Sequence, residues 1–197
     1  GGATAISGGV VYAGGGTAVQ AEAGVTDSAE AMEEYLRREV GDAVTPETLH
    51  RFCTGSAENL AWLTGHGVPF AGPLCPDKTS YPTNRHYLYF SGSERSGFGT
   101  DGAVHPPAPR GHRAVGRTMS GKVLYSGLAA AVRRRNIEIR PQTTVRALLQ
   151  DGDGTVVGVR ATTLRDAPRW VRTAHRTLVR AAAKPFLYYP QLGRALY

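Results

Sequence analysis

The chain begins with Gly1-Gly2-Ala3-Thr4-Ala5-Ile6-Ser7-Gly8-Gly9 and continues to Gly14-Gly15-Gly16-Thr17. Seven of its first sixteen residues are glycine, whereas glycine makes up about 7% of an average protein. Because glycine has no Cβ, such a segment lets the backbone approach a flat or charged group closely. A flexible linker is the alternative, but the apolar residues Ile6, Val10 and Val11 argue against it.

The composition is that of a globular protein. Of the 197 residues, 41% are hydrophobic and 20% are charged, which argues against wholesale disorder. The net charge of +7 permits contact with nucleic acid or an anionic membrane. We favour a simpler origin in the Ala-, Gly-, Arg- and Val-rich usage of GC-rich genomes, because net charge alone is a nonspecific argument. No apolar run in the sequence approaches the ~18 residues of a membrane span, and no stretch of it has the cationic, apolar and small-residue pattern of a signal peptide.

The two cysteines and the remaining polar residues indicate no metal. Cys53 and Cys75 form neither a CxxC motif nor a metal-ligand spacing. Isolated cysteines are typical of reduced thiols, so we expect a cytoplasmic protein. His50 and His66 are interpreted as helix-surface or cap residues. No Ser-His-Asp set or carboxylate pair stands out by its spacing.

Three segments carry signals for the start and the end of a helix. They run from Asp27 to Gly41, from Thr45 to Gly65 and from Ser120 to Asn136. The first begins in the form of a capping box with an acidic N-cap, and the second has proline in its first turn. Gly55 weakens the middle of the second segment. Apolar residues at helical spacing give each segment one buried face.

Alternating residues predict strands after the third helix. Ile137–Arg140 alternates as a short strand, and Thr144–Leu149 and Thr155–Thr162 are two more. Asp151-Gly152-Asp153-Gly154 between the last two is a hairpin signal.

The last segment, Asp166–Ala183, is predicted to be an amphipathic helix that Pro185 stops. Arginines recur along it at steps of four, three, four and four residues, so they form one basic stripe: Arg165, Arg169, Arg172, Arg176 and Arg180. Such a stripe binds an anionic lipid surface or nucleic acid, or is simply the solvated face of a surface helix. Because Trp170 is the only aromatic residue interleaved in it, a lipid contact is easier to defend.

Residues 69–109 form a loop-rich stretch whose only strand-like run is Tyr87–Phe90. A stretch of this length inside a compact protein is usually functional or disordered, and its aromatic content favours function. The tyrosines line either a domain core or a ligand pocket. Arg110 and His112 form an anion site or, as we favour, an exposed turn.

A literal G-x-G-x-x-G match at Gly97–Gly102 is not a phosphate site. That motif needs a preceding strand and a following helix, whose N-terminal amides hold the phosphates. Here Pro106 and Pro107 follow closely, so no helix can begin.

Several motifs together resemble the FAD-dependent oxidoreductases of the fumarate-reductase and 3-ketosteroid-dehydrogenase type. The opening segment is similar to a stretch that passes along the flavin pyrophosphate and ring in that family. The others are Gly55-Ser56, Trp62-Leu63, Gly67-Val68-Pro69-Phe70, Tyr87–Glu94, Pro107-Ala108-Pro109-Arg110-Gly111-His112 and the Ile137–Val145 strand unit. The similarity covers essentially all of the chain, and the combination is specific although each motif alone is weak.

The resemblance implies a flavin enzyme that removes two hydrogens from a steroid-like ring, with hydride transfer to FAD. It implies cofactor contacts from Gly1, Gly2, Ala3, Thr4, Ser7, Gly8, Gly9 and Val145. We place Tyr12, Tyr87 and Tyr89 in the steroid pocket, since an apolar substrate needs aromatic walls. The catalytic residues stay unassigned, and we expect the proton-abstracting base beyond Tyr197. No nucleic-acid partner is expected.

The resemblance also sets the expected fold and domains. The fold is α/β, a partial glutathione-reductase-like FAD-binding fold with an inserted α+β substrate domain. Residues 1–26 and 115–165 are expected in the FAD-binding domain, 27–114 in the inserted domain, and 166–197 in a basic helix with a truncated tail. Gly1–Gly9 should then lie close to Ile137–Val145.

The dinucleotide fingerprint and its ribose-binding acid do not occur in the sequence. In the family they precede the Gly-Gly-Ala-Thr segment. We therefore expect a fragment that lacks this fingerprint and the C-terminal half, and that is inactive by itself. The alternative is a non-catalytic basic module that acts through the Arg165–Arg180 stripe.

Overall fold

A computed structural model of the chain describes residues 2–96, 102–188 and 191, with the backbone alone given for 182–188. The chain divides into two compact units, Gly1–Ile137 and Glu138–Tyr197. This division falls within the expected 115–165 segment. Gly1–Gly9 belong to the first unit and residues 138–145 to the second. Their expected proximity therefore stays a prediction, and so do the domain assignments. The Gly97–Gly102 match lies almost entirely outside the described residues.

Of the helices described in the first unit, those near Asp27, Thr45 and Ser120 begin close to the predicted start signals, whereas two short helices before residue 23 were not predicted. The helices described in this unit are α1 (Gly2–Ile6), α2 (Ala18–Glu22), α3 (Ala29–Val40), α4 (Pro46–Thr54), α5 (Ser56–Gly65) and α6 (Gly121–Arg134), with a 3-10 turn at Gly41–Ala43. Gly41 ends α3 at a φ of 50°, and Thr45 caps α4. The prediction of an acidic N-cap at Asp27 is wrong. The Ser28 hydroxyl accepts the Ala31 N–H at 3.1 Å instead.

The predicted single helix from Thr45 to Gly65 is two helices. Gly55 ends α4 and begins α5. The break orients the buried Ser56 so that its hydroxyl accepts a hydrogen bond from the Gly14 N–H at 3.0 Å. The interruption falls at Gly55, the residue whose low helix propensity weakens the segment.

A small mixed sheet lies at the centre of the first unit. Its strands are β1 (Val10–Tyr12), β2 (Leu74–Cys75), β3 (Leu88–Tyr89) and β4 (Gly111–Arg113). The order across the sheet is β1-β4-β3-β2. β4 is antiparallel to both β1 and β3, while β2 and β3 are parallel. The loop-rich stretch therefore supplies two strands of this sheet.

Two apolar clusters form the core beside the sheet. The first contains Ala13, Val19, Leu60 and Leu88. The second contains Met32, Leu49 and Cys53, and the predicted helix faces supply all three. Phe52, which lies between Leu49 and Cys53 in the sequence, is 45% exposed. Both cysteines are free, and burial raises the pKa of the Cys53 thiol to about 11.

The second unit consists of a hairpin and a helix. β5 (Thr143–Gln150) and β6 (Val156–Thr163) pair in antiparallel fashion, as predicted. Helix α7 (Arg169–Tyr188) follows. None of residues 138–181 is buried.

Two predictions in this region are wrong. Ile137–Arg140 is not a strand, because no neighbouring strand pairs with it among the described residues, and Ile139 is 59% exposed. Helix α7 continues through Pro185 to Tyr188. A proline inside a helix removes one backbone hydrogen bond, and here the rest of the ladder carries on past it.

Candidate functional site

The opening glycine segment is fixed to the start of α6 by backbone hydrogen bonds. The Gly121 N–H donates to the Ser7 carbonyl at 3.0 Å, and the Ser120 N–H donates to the Gly8 carbonyl at 3.2 Å. Two of the amides at the start of α6 are therefore satisfied by this segment rather than by a side-chain cap.

Glycine is required at two positions of this segment by close approach within the chain. Gly9 has a φ of +65°, and a Cβ there would lie 2.6 Å from the Ser120 carbonyl oxygen. A Cβ on Gly8 would lie 2.8 Å from Cε2 of Tyr81. The family resemblance predicts that these glycines leave space for a flavin ring. The structure gives a different physical reason, since the chain's own atoms fill that space, and the cofactor contacts of both residues stay predictions.

Gly1 lies outside the described residues, and the other cofactor candidates of the segment form an open surface of small residues. Gly2, Ala3, Thr4 and Ser7 are exposed. The Thr4 hydroxyl makes no hydrogen bond with any residue that the structure describes, while the Ser7 hydroxyl donates to the Thr4 carbonyl at 2.9 Å. This surface fits the close approach of a phosphate or a ring edge. Val145 lies on β5 in the other unit and is 56% exposed.

A buried ion pair lies behind the second glycine run. Asp27 accepts hydrogen bonds from Nη2 of Arg110 at 2.7 Å and from its Nε at 3.0 Å. The two side chains are 0% and 1% exposed. Burial alone would raise the pKa of the Asp27 carboxyl. The hydrogen bonds from Arg110 and its positive charge outweigh that effect and lower this pKa. The prediction of an exposed turn at Arg110 and His112 is therefore wrong.

The same carboxylate positions the Gly14–Gly16 turn. Its Oδ2 accepts the Gly15 N–H at 3.0 Å, and Nε2 of Gln20 donates to it at 2.9 Å. A Cβ on Gly14 would lie 2.6 Å from that oxygen. The buried carboxylate of Asp27 therefore holds the Gly14–Gly16 turn in place through its hydrogen bond to Gly15.

A second buried carboxylate lies close to Tyr12. The Tyr12 hydroxyl donates to Oε1 of Glu94 at 3.0 Å. Glu94 is fully buried, and its Oε2 has no hydrogen-bond partner among the described residues. Burial raises the pKa of Glu94. Glu94 therefore accepts the phenol hydrogen and orients the Tyr12 side chain.

His112 is a buried neutral histidine. Its Nδ1 lies 3.1 Å from the Arg110 carbonyl oxygen, so this nitrogen carries the proton. Nε2 then accepts from the Thr17 hydroxyl at 2.9 Å. Burial lowers the pKa of His112 to about 4.

Arg113 is a buried cation that binds only neutral groups within the described part of the chain. Its guanidinium donates to the Tyr81 hydroxyl at 2.9 Å, to Oδ1 of Asn84 at 2.9 Å and to the Thr118 carbonyl at 2.7 Å. The Tyr81 hydroxyl also donates to the Gly8 carbonyl at 2.8 Å. Arg113 and Tyr81 thus connect the glycine segment to the loop before α6.

Of the other predicted pocket tyrosines, Tyr87 is half-buried and Tyr89 is buried. The Tyr87 hydroxyl donates to the Asn84 carbonyl at 2.9 Å, and its ring lies 5.4 Å from the Arg113 guanidinium carbon. Tyr89 is 2% exposed, and burial raises the pKa of its phenol to about 12. Their role in a steroid pocket stays a prediction.

Sequence reasoning missed the partners that organise this region. Asp27 was assigned to a helix cap, while Glu94 and Arg113 were given no role. A charged residue close to aromatic residues and glycine, such as Glu94, was the only signal available. Nothing in the sequence indicated which residues these charges would meet.

The described residues hold no group of three His, Cys, Asp or Glu side chains placed to bind a metal. Within the same part of the chain, none of the helices has both the length and the apolar content needed to cross a membrane.

The chain belongs to the FAD binding domain family, whose model matches residues 1–187. FAD is therefore the cofactor of its family. The chain is 38% identical over 187 residues to the 3-oxo-5-alpha-steroid 4-dehydrogenase of Comamonas testosteroni, a match that covers 93% of the chain and 35% of that protein.

The fold is also similar to that of a solved steroid dehydrogenase. The crystal structure of 3-ketosteroid-delta4-(5alpha)-dehydrogenase from Rhodococcus jostii RHA1, in complex with 4-androstene-3,17-dione, matches with a TM-score of 0.75 and 32% identity. The match covers 83% of the chain and 35% of that structure. The chain thus spans about a third of the length of these relatives, and its sheet and helices belong to an FAD-binding fold of mixed helix and strand content.

Proposed function

We propose that these residues form part of an FAD-dependent dehydrogenase that removes two hydrogens from adjacent carbons of a 3-oxo steroid. The observation that carries this proposal is the 38% identity to a 3-oxo-5-alpha-steroid 4-dehydrogenase across 187 residues of the chain. The complex of the second relative with 4-androstene-3,17-dione supports the same substrate class. When bound, FAD supplies the acceptor for the hydride, and the second hydrogen leaves as a proton.

The exposed part of the glycine segment is proposed to contact the cofactor. Gly2, Ala3, Thr4 and Ser7 offer backbone and hydroxyl groups without a bulky side chain in front of them. Gly8 and Gly9 act differently in this proposal, since they hold the segment against Tyr81 and the start of α6. The protein part of a flavin site supplies such binding and orientation.

Tyr12 is proposed to face the steroid side of the site, with its phenol oriented by Glu94. We do not assign it the role of the base. Burial and the neighbouring Glu94 raise the pKa of Tyr12, so its phenolate is disfavoured at neutral pH. The phenol can still donate a hydrogen bond, and the proton-abstracting group is proposed to lie outside these residues.

The test is flavin retention and steroid-dependent flavin reduction in the natural protein that contains these residues. We expect the purified protein to carry FAD, and a 3-oxo-5α-steroid added without oxygen to bleach its visible absorbance. A folded protein that neither retains added FAD nor responds to the steroid would contradict the proposal.

A matched pair of threonine variants tests the proposed cofactor surface. Thr4→Val removes an exposed hydroxyl from the glycine segment, and Thr26→Val removes an equally exposed hydroxyl elsewhere. We expect weaker FAD retention for Thr4→Val alone. Equal retention in the two variants would remove Thr4 from the proposed contact set.

A further inference from the structure

A recess in the second unit is lined by arginines of α7. Arg169, Arg172 and Arg176 follow one another at steps of three and four residues, so they lie within roughly 60° of one another around the helix. Together with Thr173 and Gln142 they line a recess of about 300 Å³. This volume lies at the lower end of the range for small-molecule sites, about 300–1,000 Å³. We call these five residues the α7 recess.

Hydrogen bonds hold the two walls of the α7 recess together. Gln142 lies just before β5, and its carbonyl accepts the Leu164 N–H at 3.0 Å. Its Nε2 lies 3.1 Å from Nδ1 of His175 on α7. Arg172 is half-buried, and its Nη1 donates to the Arg165 carbonyl at 3.2 Å. The recess is therefore formed by the chain itself and does not need a ligand to bring its walls together.

The charge of the α7 recess is not neutralised within the described chain. Both carboxylate oxygens of Glu138, in the same unit, are bound by other arginines, Oε2 by Arg140 and Oε1 by Arg165, each at 2.9 Å. The three arginines of the recess form no ion pair with any carboxylate that the structure describes. Asp166, the acidic residue nearest to them in the sequence, does not line the recess. Three positive charges therefore surround one recess without a counter-ion from these residues.

We propose that the α7 recess binds a small phosphate-bearing molecule. A guanidinium has five N–H donors and no acceptor, so three of them favour a ligand that supplies many acceptor oxygens. Its planar fork matches two oxygens of a phosphate group. The Thr173 hydroxyl can donate one more hydrogen bond. A single carboxylate offers only one charge and two oxygens, and a phosphate or diphosphate group therefore complements the recess better. The proposal does not rest on the proposed enzymatic function.

The test is isothermal titration calorimetry of the natural protein that contains these residues with inorganic pyrophosphate. Excess FAD is present, and sodium chloride keeps the ionic strength constant. We expect saturable binding of one pyrophosphate per chain. The double variant Arg169→Gln, Arg176→Gln should bind pyrophosphate at least about tenfold more weakly, because it removes two charged donors from the recess.

A matched double variant decides whether the position of the charge matters. Arg51→Gln, Arg160→Gln removes the same net charge from exposed residues that do not line the recess. It should bind pyrophosphate like the unmodified protein. Circular dichroism spectra identical to that of the unmodified protein confirm that each variant is folded.

Four outcomes would overturn the proposal. The first two are the absence of saturable binding and an equal loss of affinity in the two double variants. The third is binding of pyrophosphate only when FAD is left out, which would assign the recess to the cofactor. The fourth is tighter binding, per phosphate group, to an oligonucleotide than to pyrophosphate at the same ionic strength. Retention of FAD and its reduction by a steroid are measured separately, so failure of the proposed function would be recognised independently.

Discussion

Substitution of Asp27 by asparagine keeps the size of the side chain but removes its charge and one of its two acceptor oxygens. Both oxygens of Asp27 accept hydrogen bonds from Arg110, so asparagine leaves one N–H of the guanidinium without an acceptor. Arg110 is 1% exposed, so its positive charge would also be left unmatched away from water.

The expected loss of folding stability is large because the Asp27–Arg110 ion pair is buried away from water. Removing one partner of a buried ion pair typically costs about 3–5 kcal/mol. For a chain of this length, 1 kcal/mol corresponds to about 2–4 °C, so the midpoint of thermal unfolding should fall by about 6–20 °C. The double variant Asp27→Asn, Arg110→Met should lose less than the sum of the two single losses, since it leaves no unmatched charge.

Thermal unfolding followed by circular dichroism measures both effects, with Arg37→Gln as the control. Arg37 also pairs with a carboxylate, but it is 64% exposed, and exposed pairs contribute little. If Asp27→Asn unfolds at the same temperature as Arg37→Gln, or if the two single losses simply add, the buried pair does not stabilise the unit in the way argued here.

The pair also makes a prediction about pH. The pKa of Asp27 is lowered in the folded state. Its contribution to folding stability is therefore fully present at pH values above about 3.9, the pKa of an aspartate in the unfolded chain. It is lost as the pH falls through the folded pKa. The stability difference between the unmodified protein and Asp27→Asn should therefore shrink in acid, whereas a difference that persists there would point to packing instead.

Three other predictions concern single side chains. Gly9→Ala should destabilise the protein by more than about 1 kcal/mol in urea unfolding, because alanine is strained at positive φ, while Gly65→Ala, where a Cβ meets no other atom, should not. Because burial lowers the pKa of His112 to about 4, its folded state favours the neutral ring, and stability should fall as the pH drops from about 6.5 toward that value. His112→Gln should reduce this fall, and the exposed His50→Gln should leave it unchanged. In the full enzyme, Tyr87→Phe should raise KM with a modest loss of kcat, and a collapse of kcat at unchanged KM would make Tyr87 the base.

The sequence by itself determined the features that depend on neighbouring residues. The hydroxyl of Thr45 caps α4 by accepting the N–H of Thr48, three residues further along the chain. Asp151–Gly154 connects two strands that are adjacent in the sequence. The helical spacing of the arginines in α7 follows in the same way. Family membership also belongs here, because the motifs that carry it are short runs of residues.

Only the tertiary structure decided which distant residues meet. Asp27 and Arg110 are 83 positions apart, and Tyr12 and Glu94 are 82 apart. The sequence near Asp27 predicts that it caps α3. In the structure Asp27 binds the buried Arg110 instead, and Ser28 supplies the cap. Gly8 and Gly9 show the same limit, since their pattern predicts close approach but not the atoms approached. Propensity acts over a few residues, whereas the pairing of a buried charge depends on how the whole unit packs.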